Sequence, residues 1–351
     1  MNRPTDCIHH LMTAGPADSR RPCARHIARI LACLLTGCML LACKGHGGLL
    51  PSSGGRLYEV LLVADREDVV RQMLEADTDG LPQSEPSFDV SAVDSAAFVP
   101  ALRQARNIVV VSINPTVYTH PHVGYERNVW AKPQMVVRIG APSVGALRQS
   151  AASVSQALRA LLLRAEARKT LSLLRQKRNT QAEQTVRRLM GVDLWIPVDM
   201  VASKQGTDYI WLSNNNVEEM QNIVVYRQPA FPGNTTTCAD DESVEHFVAL
   251  RNAVLGRAIK GETDSMWMTT VGKTVTRQGY IYRGLWEMHA DDMGGPFVSR
   301  CLPARTKDGQ AVVAEGFVFA PGRHKRNAIR RLQTLLYTLR WHTSTVCSQA
   351  D

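Results

Sequence analysis

SVGALRQSAASVSQALRALLLRAEARKTLSLLRQKR, residues 143–178, is the longest helical pattern in the chain. Leu147, Ala151, Val154, Leu158, Leu161 and Ala165 recur at alternating four- and three-residue steps, a stripe along one face of an α-helix. A second helical piece, residues 180–190, is ended by Gly191. Before this arm, residues 58–64, 88–93, 107–113 and 134–139 read as short strands. Helical spacing covers 65–76, with Asp65 as its cap, and 96–105, while 115–133 is loop-rich. After the arm, strands are expected at 193–200, 209–213, 223–227, 266–270, 279–288 and 311–319, and helices at 243–259 and 324–341. Strand–helix–strand crossovers are few. The expected class is therefore α+β: mixed, mostly antiparallel sheets packed with helices, with one long basic helix in mid-chain.

The 351 residues are 44% hydrophobic and 21% charged, which excludes a wholly disordered, collagen-like or multi-span membrane chain. The formal charge is +9. Within the arm, Arg148, Arg159, Arg164, Arg168, Lys169, Arg175, Lys177, Arg178, Arg187 and Arg188 face only Glu166 and Glu183. The positive field is thus concentrated there. It reads either as a contact for an anionic surface (lipid headgroups, lipopolysaccharide phosphates or an acidic envelope protein) or as a solvated helix face. Nucleic acid is not expected, because no aromatic residues are interleaved for base stacking.

The front of the chain has the layout of a secretory leader. Arg20, Arg21, Arg25 and Arg29 precede the uncharged run ILACLLTGCMLLA, residues 30–42, which is shorter than the roughly 18 residues of a membrane span. Leu40-Leu41-Ala42-Cys43 resembles the lipobox of bacterial lipoproteins, and Leu35-Thr36-Gly37-Cys38 fits as an alternative. The resemblance implies a thiol at Cys43, or at Cys38, that receives palmitate-type acyl chains. Lys44, where an Asp would favour inner-membrane retention, points to an outer-membrane lipoprotein facing the periplasm or the cell surface. The expected organisation is a signal peptide at 1–42, a Gly/Ser tether at 43–56, α+β halves at 57–190 and 191–341, and a tail at 342–351. Without residues 1–42 the chain carries 36 basic and 30 acidic side chains.

Three side-chain groups bear on chemistry. His120, His122 and Glu126 have an alternating pattern that suits metal chelation, but Pro121 intervenes and a solvent loop is the expected reading. Trp286, Glu287, His289, Asp291 and Asp292 form a candidate pocket, with Gly294, Gly295 and Pro296 expected to make a tight turn. Cys238 and Cys301 are a candidate disulfide if the compartment is oxidising. No GxSxG, HExxH, Walker or GxGxxG motif is present. No cofactor or resident metal is therefore expected.

RNVWAKPQ (127–134), GLWEMHADDMGGPF (284–297) and EGFVFAP (315–321), followed by a basic helix to Tyr337, resemble an uncharacterised family of Bacteroidota lipoproteins, domain-of-unknown-function family 4837. The resemblance spans about residues 55–341 and implies no catalytic role for any residue. The expected function is a membrane-anchored envelope protein that binds or builds rather than catalyses. The rivals are an envelope hydrolase using Glu287, Asp291 and Asp292, and an assembly subunit joined through the Leu147–Ala165 stripe.

Overall fold

Val60–Val63, Ile108–Val111 and Val136–Val137 are unbroken aliphatic runs, as expected of strands covered on both faces. They lie in β1 (Glu59–Val63), β3 (Asn107–Ile113) and β5 (Met135–Ala141). With β2 (Asp89–Val93) and β4 (His122–Arg127) these form a sheet of order β2-β1-β3-β5-β4. The computed structural model describes residues 50–229, 242–305 and 309–343. In this first sheet β2, β1, β3 and β5 are parallel, and β4 runs against β5. Parallel and antiparallel pairs together make the mixed sheet of the expected class, and one crossover is made of two short 3-10 turns, Ser95–Ala97 and Leu102–Gln104, where a helix was expected over 96–105. β4 itself falls inside the expected loop. Helix α1 (Val69–Glu75) makes the other crossover, and the Asp65 carboxylate caps it by accepting from the backbone N–H groups of Val70 and Arg71, at 3.1 and 2.9 Å.

The long pattern folds as α2 (Val144–Gln149) and α3 (Ala151–Leu174), with Ser143 Oγ accepting from the Ala146 N–H at the start. Leu147, Val154, Leu158, Leu162 and Ala165 are buried against Val109, Val137 and Ile139 of the first sheet. Leu162 takes the deep position, and Leu161 is only partly buried. The opposite sheet face, Leu61, Val63, Ile108 and Val136, is covered by Phe98, Leu102 and Trp130. The stripe is thus a core seam, and the assembly reading, which needs it exposed, falls.

The second sheet is antiparallel, of order β10-β12-β13-β14-β9-β8-β7 with β11 added to β12. Its strands are β7 (Ala202–Gln205), β8 (Tyr209–Ser213), β9 (Met220–Pro229), β10 (Met268–Thr270), β11 (Thr276–Gln278), β12 (Ile281–Met288), β13 (Gly294–Leu302) and β14 (Gln310–Phe319). Alternation in β12 buries Tyr282, Gly284, Trp286 and Met288 on one face. Phe247 and Leu255 of α5 (Glu242–Ala258) pack there with Tyr226 and Phe317. On the other face α4 (Thr180–Met190) and α6 (Arg326–Leu336) bring Val186, Leu332 and Leu335 onto Ile223, Val225, Val298 and Ala314. Gly294, Gly295 and Pro296 lie inside β13, not in a turn. Pro296 is tolerated because pairing with β14 begins only at Phe297, so no ladder bond asks for its missing N–H. The expected strand at 193–200 shrinks to β6 (Val192–Asp193), paired with β15 (Arg340–Trp341).

From Pro51 onward the two sheets belong to one compact unit. α6 joins them. Its first backbone N–H groups have no local side-chain cap. Instead the buried Glu85 carboxylate accepts from the N–H of Lys325 at 2.7 Å and of Arg326 at 2.9 Å. Arg326 also pairs with Asp89 at 2.9 Å.

Candidate functional site

The expected pocket at 286–292 does not assemble as one site. Alternation along β12 points Trp286 into the core, where its Nε1–H donates to the Val318 carbonyl at 3.2 Å. Glu287, His289, Asp291 and Asp292 are exposed around the β12–β13 turn. His289 stacks on Trp267 with ring centroids 4.0 Å apart. The acids therefore stand in solvent, apart from the apolar wall that Trp286 was expected to give them. His120 and His122 are exposed, and Glu126 pairs with Arg138 at 2.8 Å. Among the described residues no cluster of three metal-ligating side chains occurs. Cys301 is buried, whereas Cys238, like Cys38 and Cys43, lies outside the described residues.

The basic arm is divided by the fold. Arg148 reaches Glu67 at 2.8 Å, Arg187 reaches Asp193 at 2.8 Å, and Arg178 pairs with Glu183. Arg168 and Arg175 are exposed. Lys169, expected at the surface, is buried. Its Nζ donates to the Arg106 carbonyl at 3.0 Å, to Asn107 Oδ1 at 3.1 Å and to Glu166 Oε1 at 3.4 Å. Glu166 is itself gripped by Arg106 through two bonds of 3.0 and 2.8 Å. Burial lowers the Lys169 pKa to about 8; Arg106 adds to the fall and Glu166 opposes it. In the unfolded chain this amine keeps its ordinary value near 10.5 and so binds the proton more tightly than in the fold. Stability is therefore expected to rise as pH increases from about 8 toward 10, and to be lost as pH falls through about 8. Urea midpoints across this window should climb more in the natural protein than in Lys169→Met. Parallel curves would show that Lys169 does not titrate there.

Arg159 and Arg164 face a cleft between α3, α6 and the β11–β12 edge, with a volume of about 1110 Å³. Arg277, Arg283 and Arg330 complete its basic lining, and Asp79 is the single carboxylate in it. Among the described residues no carboxylate lies within 4.0 Å of Arg159, Arg164, Arg283 or Arg330. The two deep guanidiniums are fixed by neutral partners. Arg330 donates to the Ser87 carbonyl at 2.6 Å and to Thr78 Oγ1 at 3.2 Å, and lies 4.8 Å from the Tyr58 ring centre. Arg283 donates to Gln333 Oε1 at 3.4 Å, and Gln333 is held in turn by the Tyr337 hydroxyl at 2.6 Å. Burial lowers both pKa values, that of Arg330 to about 10. Asp79 beside Arg283 and Glu85 beside Arg330 offset only part of the cost of desolvating these cations, and neither is in contact.

On the other side of α6 lies an apolar mouth of about 440 Å³, which shares Tyr58 with the cleft. Leu57, Leu173 and Val198 ring it and are 41%, 67% and 54% exposed. Lys177 stands at its edge with two acids, Asp199, neutralised by Arg331 at 2.8 Å, and Glu219, which accepts from Gln221 at 2.6 Å.

Residues 179–338 match the family model DUF4837, a domain of unknown function. Residues 53–175 match a second domain of unknown function, DUF8532. The DUF4837 match is thus shorter than the resemblance read over 55–341, and RNVWAKPQ falls in the DUF8532 segment. No curated protein matches the chain. The arginine cleft belongs to neither segment alone: Asp79, Arg159 and Arg164 come from DUF8532, and Arg277, Arg283 and Arg330 from DUF4837. The arm announced the first two arginines. The RHKRNAIRR run at 323–331 was the available signal for Arg330, whereas Arg277 and Arg283 sit singly on strands.

Proposed function

We propose that this protein is an exported lipoprotein, acylated at Cys43 and held at the outer membrane, whose body acts by binding. The observation that supports the reading is the apolar mouth. Ser52 and Gly54 already bridge to Lys132 and Ala105, so the chain enters its fold at Pro51, and Leu57, a few residues further on, is one of three exposed aliphatic side chains around the mouth. Laid on a bilayer, these and the nearby Lys177 suit the headgroup boundary. Each acyl CH₂ buried in the membrane adds about 0.8 kcal/mol, so more than one chain gives a stable anchor to which the mouth adds orientation.

Mass spectrometry of protein from the membrane fraction should find Cys43 as an acylated N-terminal residue, and Cys43→Ala should lose that mass and move to the soluble fraction. An unacylated chain that starts elsewhere defeats the anchoring. For the orientation, the isolated body (residues 51–351) should float with vesicles containing phosphatidylglycerol, and the Leu173→Asp/Val198→Asp double variant should float markedly less. Equal flotation of the two would remove the mouth from the reading.

A further inference from the structure

The arginine cleft has no part in anchoring, yet it holds two guanidiniums whose charge burial disfavours. Five guanidiniums from four separate elements line one cavity with a single carboxylate. A solvated helix face explains Arg159 and Arg164 but not Arg283 and Arg330, which are drawn out of water. Arg330 retains only 9% of its surface. Core ion pairing does not explain them either, because the nearest partners are a carbonyl, a hydroxyl and an amide. Those neutral partners fix each deep guanidinium without a contact ion pair, and Asp79 and Glu85 act on them only from a distance, which is the arrangement of a preorganised anion site.

We propose that the cleft is a binding site for a small phosphorylated molecule carrying two or more negative charges. Phosphate is favoured over carboxylate by direction. Donors approach from α3, from the β11–β12 edge and from α6, and a tetrahedral phosphate accepts on several oxygens at once, whereas a planar carboxylate is satisfied by one fork. The volume exceeds that of an inorganic ion, and Leu163, Phe297 and Tyr337 supply apolar wall for an organic remainder.

The test is calorimetric titration of the body with inorganic pyrophosphate at low salt, with citrate as the carboxylate comparison. Pyrophosphate should bind and weaken as salt is raised. Arg159→Gln/Arg164→Gln, at positions that make no core contact, should weaken it about tenfold or more, and Arg283→Gln should abolish it. Arg175→Gln/Arg188→Gln, outside the lining, should leave it unchanged. If Arg283→Gln fails to fold, the Arg159/Arg164 double variant still decides. No pyrophosphate binding, equal losses in the Arg175/Arg188 variant, or citrate binding as tightly as pyrophosphate would each overturn the proposal. None of these results depends on whether Cys43 is acylated.

Discussion

Gly295→Ala is expected to cost the body roughly 3–5 kcal/mol, a large share of the net stability of a folded domain. The reason lies in the MGGPF run. Gly295 pairs with Trp286 across the β12–β13 ladder and faces β14, and a methyl group there would overlap the Val318 carbonyl oxygen. That carbonyl also accepts the Trp286 indole N–H, so it cannot retreat without breaking a buried bond. Gly295 is held by its ladder to β12 and Val318 by its ladder to β9, and backbone so held yields far less readily than a side chain. The contrast is Gly145→Ala in α2, where the nearest atom to an added Cβ is Ser143 Oγ at 3.8 Å. That substitution should be neutral or gain a few tenths of a kcal/mol from helix propensity. Urea unfolding of the two variants reads the difference directly. A Gly295→Ala body within about 1 kcal/mol of the natural protein would mean that β13 and β14 have room the geometry denies.

Glu315→Ala should be nearly as damaging, at about 3–5 kcal/mol, through a different mechanism. Glu315 on β14 and Arg251 on α5 are both fully buried and form a two-pronged ion pair, Nη2 to Oε1 at 2.6 Å and Nε to Oε2 at 2.9 Å. Ser299 on β13 adds a bond of 2.6 Å to the same carboxylate, and Arg251 lies 4.2 Å from the Phe297 ring centre. Removing the acid leaves a guanidinium without water or counter-charge beneath a sheet. Replacing both partners, as Arg251→Met/Glu315→Leu, takes away the stranded charge and leaves two neutral groups, the Ser299 hydroxyl and Asn252 Oδ1, to be satisfied. The double variant should therefore recover most of the loss, and a thermodynamic cycle over the four proteins measures it. If the single and double variants lose the same amount, the pair is not what makes the site costly.

Helical periodicity located α1, α3, α4, α5 and α6 to within a few residues, because each of these helices buries one face and repeats its apolar positions accordingly. The strands of the second sheet that alternate or carry aliphatic runs, β8, β9, β12 and β14, were legible for the same kind of reason. β4 was not. Its residues, HVGYER, are mostly exposed on an edge, so no hydrophobic pattern marks them. β13 was missed because glycine and proline usually punctuate turns. Here they serve close approach of two strands and the end of a ladder.

The candidate site shows the same division. Composition alone placed a surplus of positive charge on residues 148–188, and a stretch of sequence can do so because charge is a local count. Whether those charges face water, a core acid or a cavity is decided elsewhere in the chain. Lys169 went inward because Arg106, Asn107 and Glu166 gather around it across the first sheet. Arg159 and Arg164 became two walls of a cleft only because α6 docks beside α3. That docking depends on Glu85 capping a helix some 240 residues further along. The sequence by itself determined the α+β class, the position of the main helices and the concentration of basic charge, all properties set by neighbours within a few turns. Tertiary structure alone decided the parallel pairing of the first sheet, the separation of Trp286 from the acids beside it, and the meeting of five arginines in one cavity. These depend on contacts between residues far apart in the chain, whose free energy exists only once the intervening backbone has been ordered.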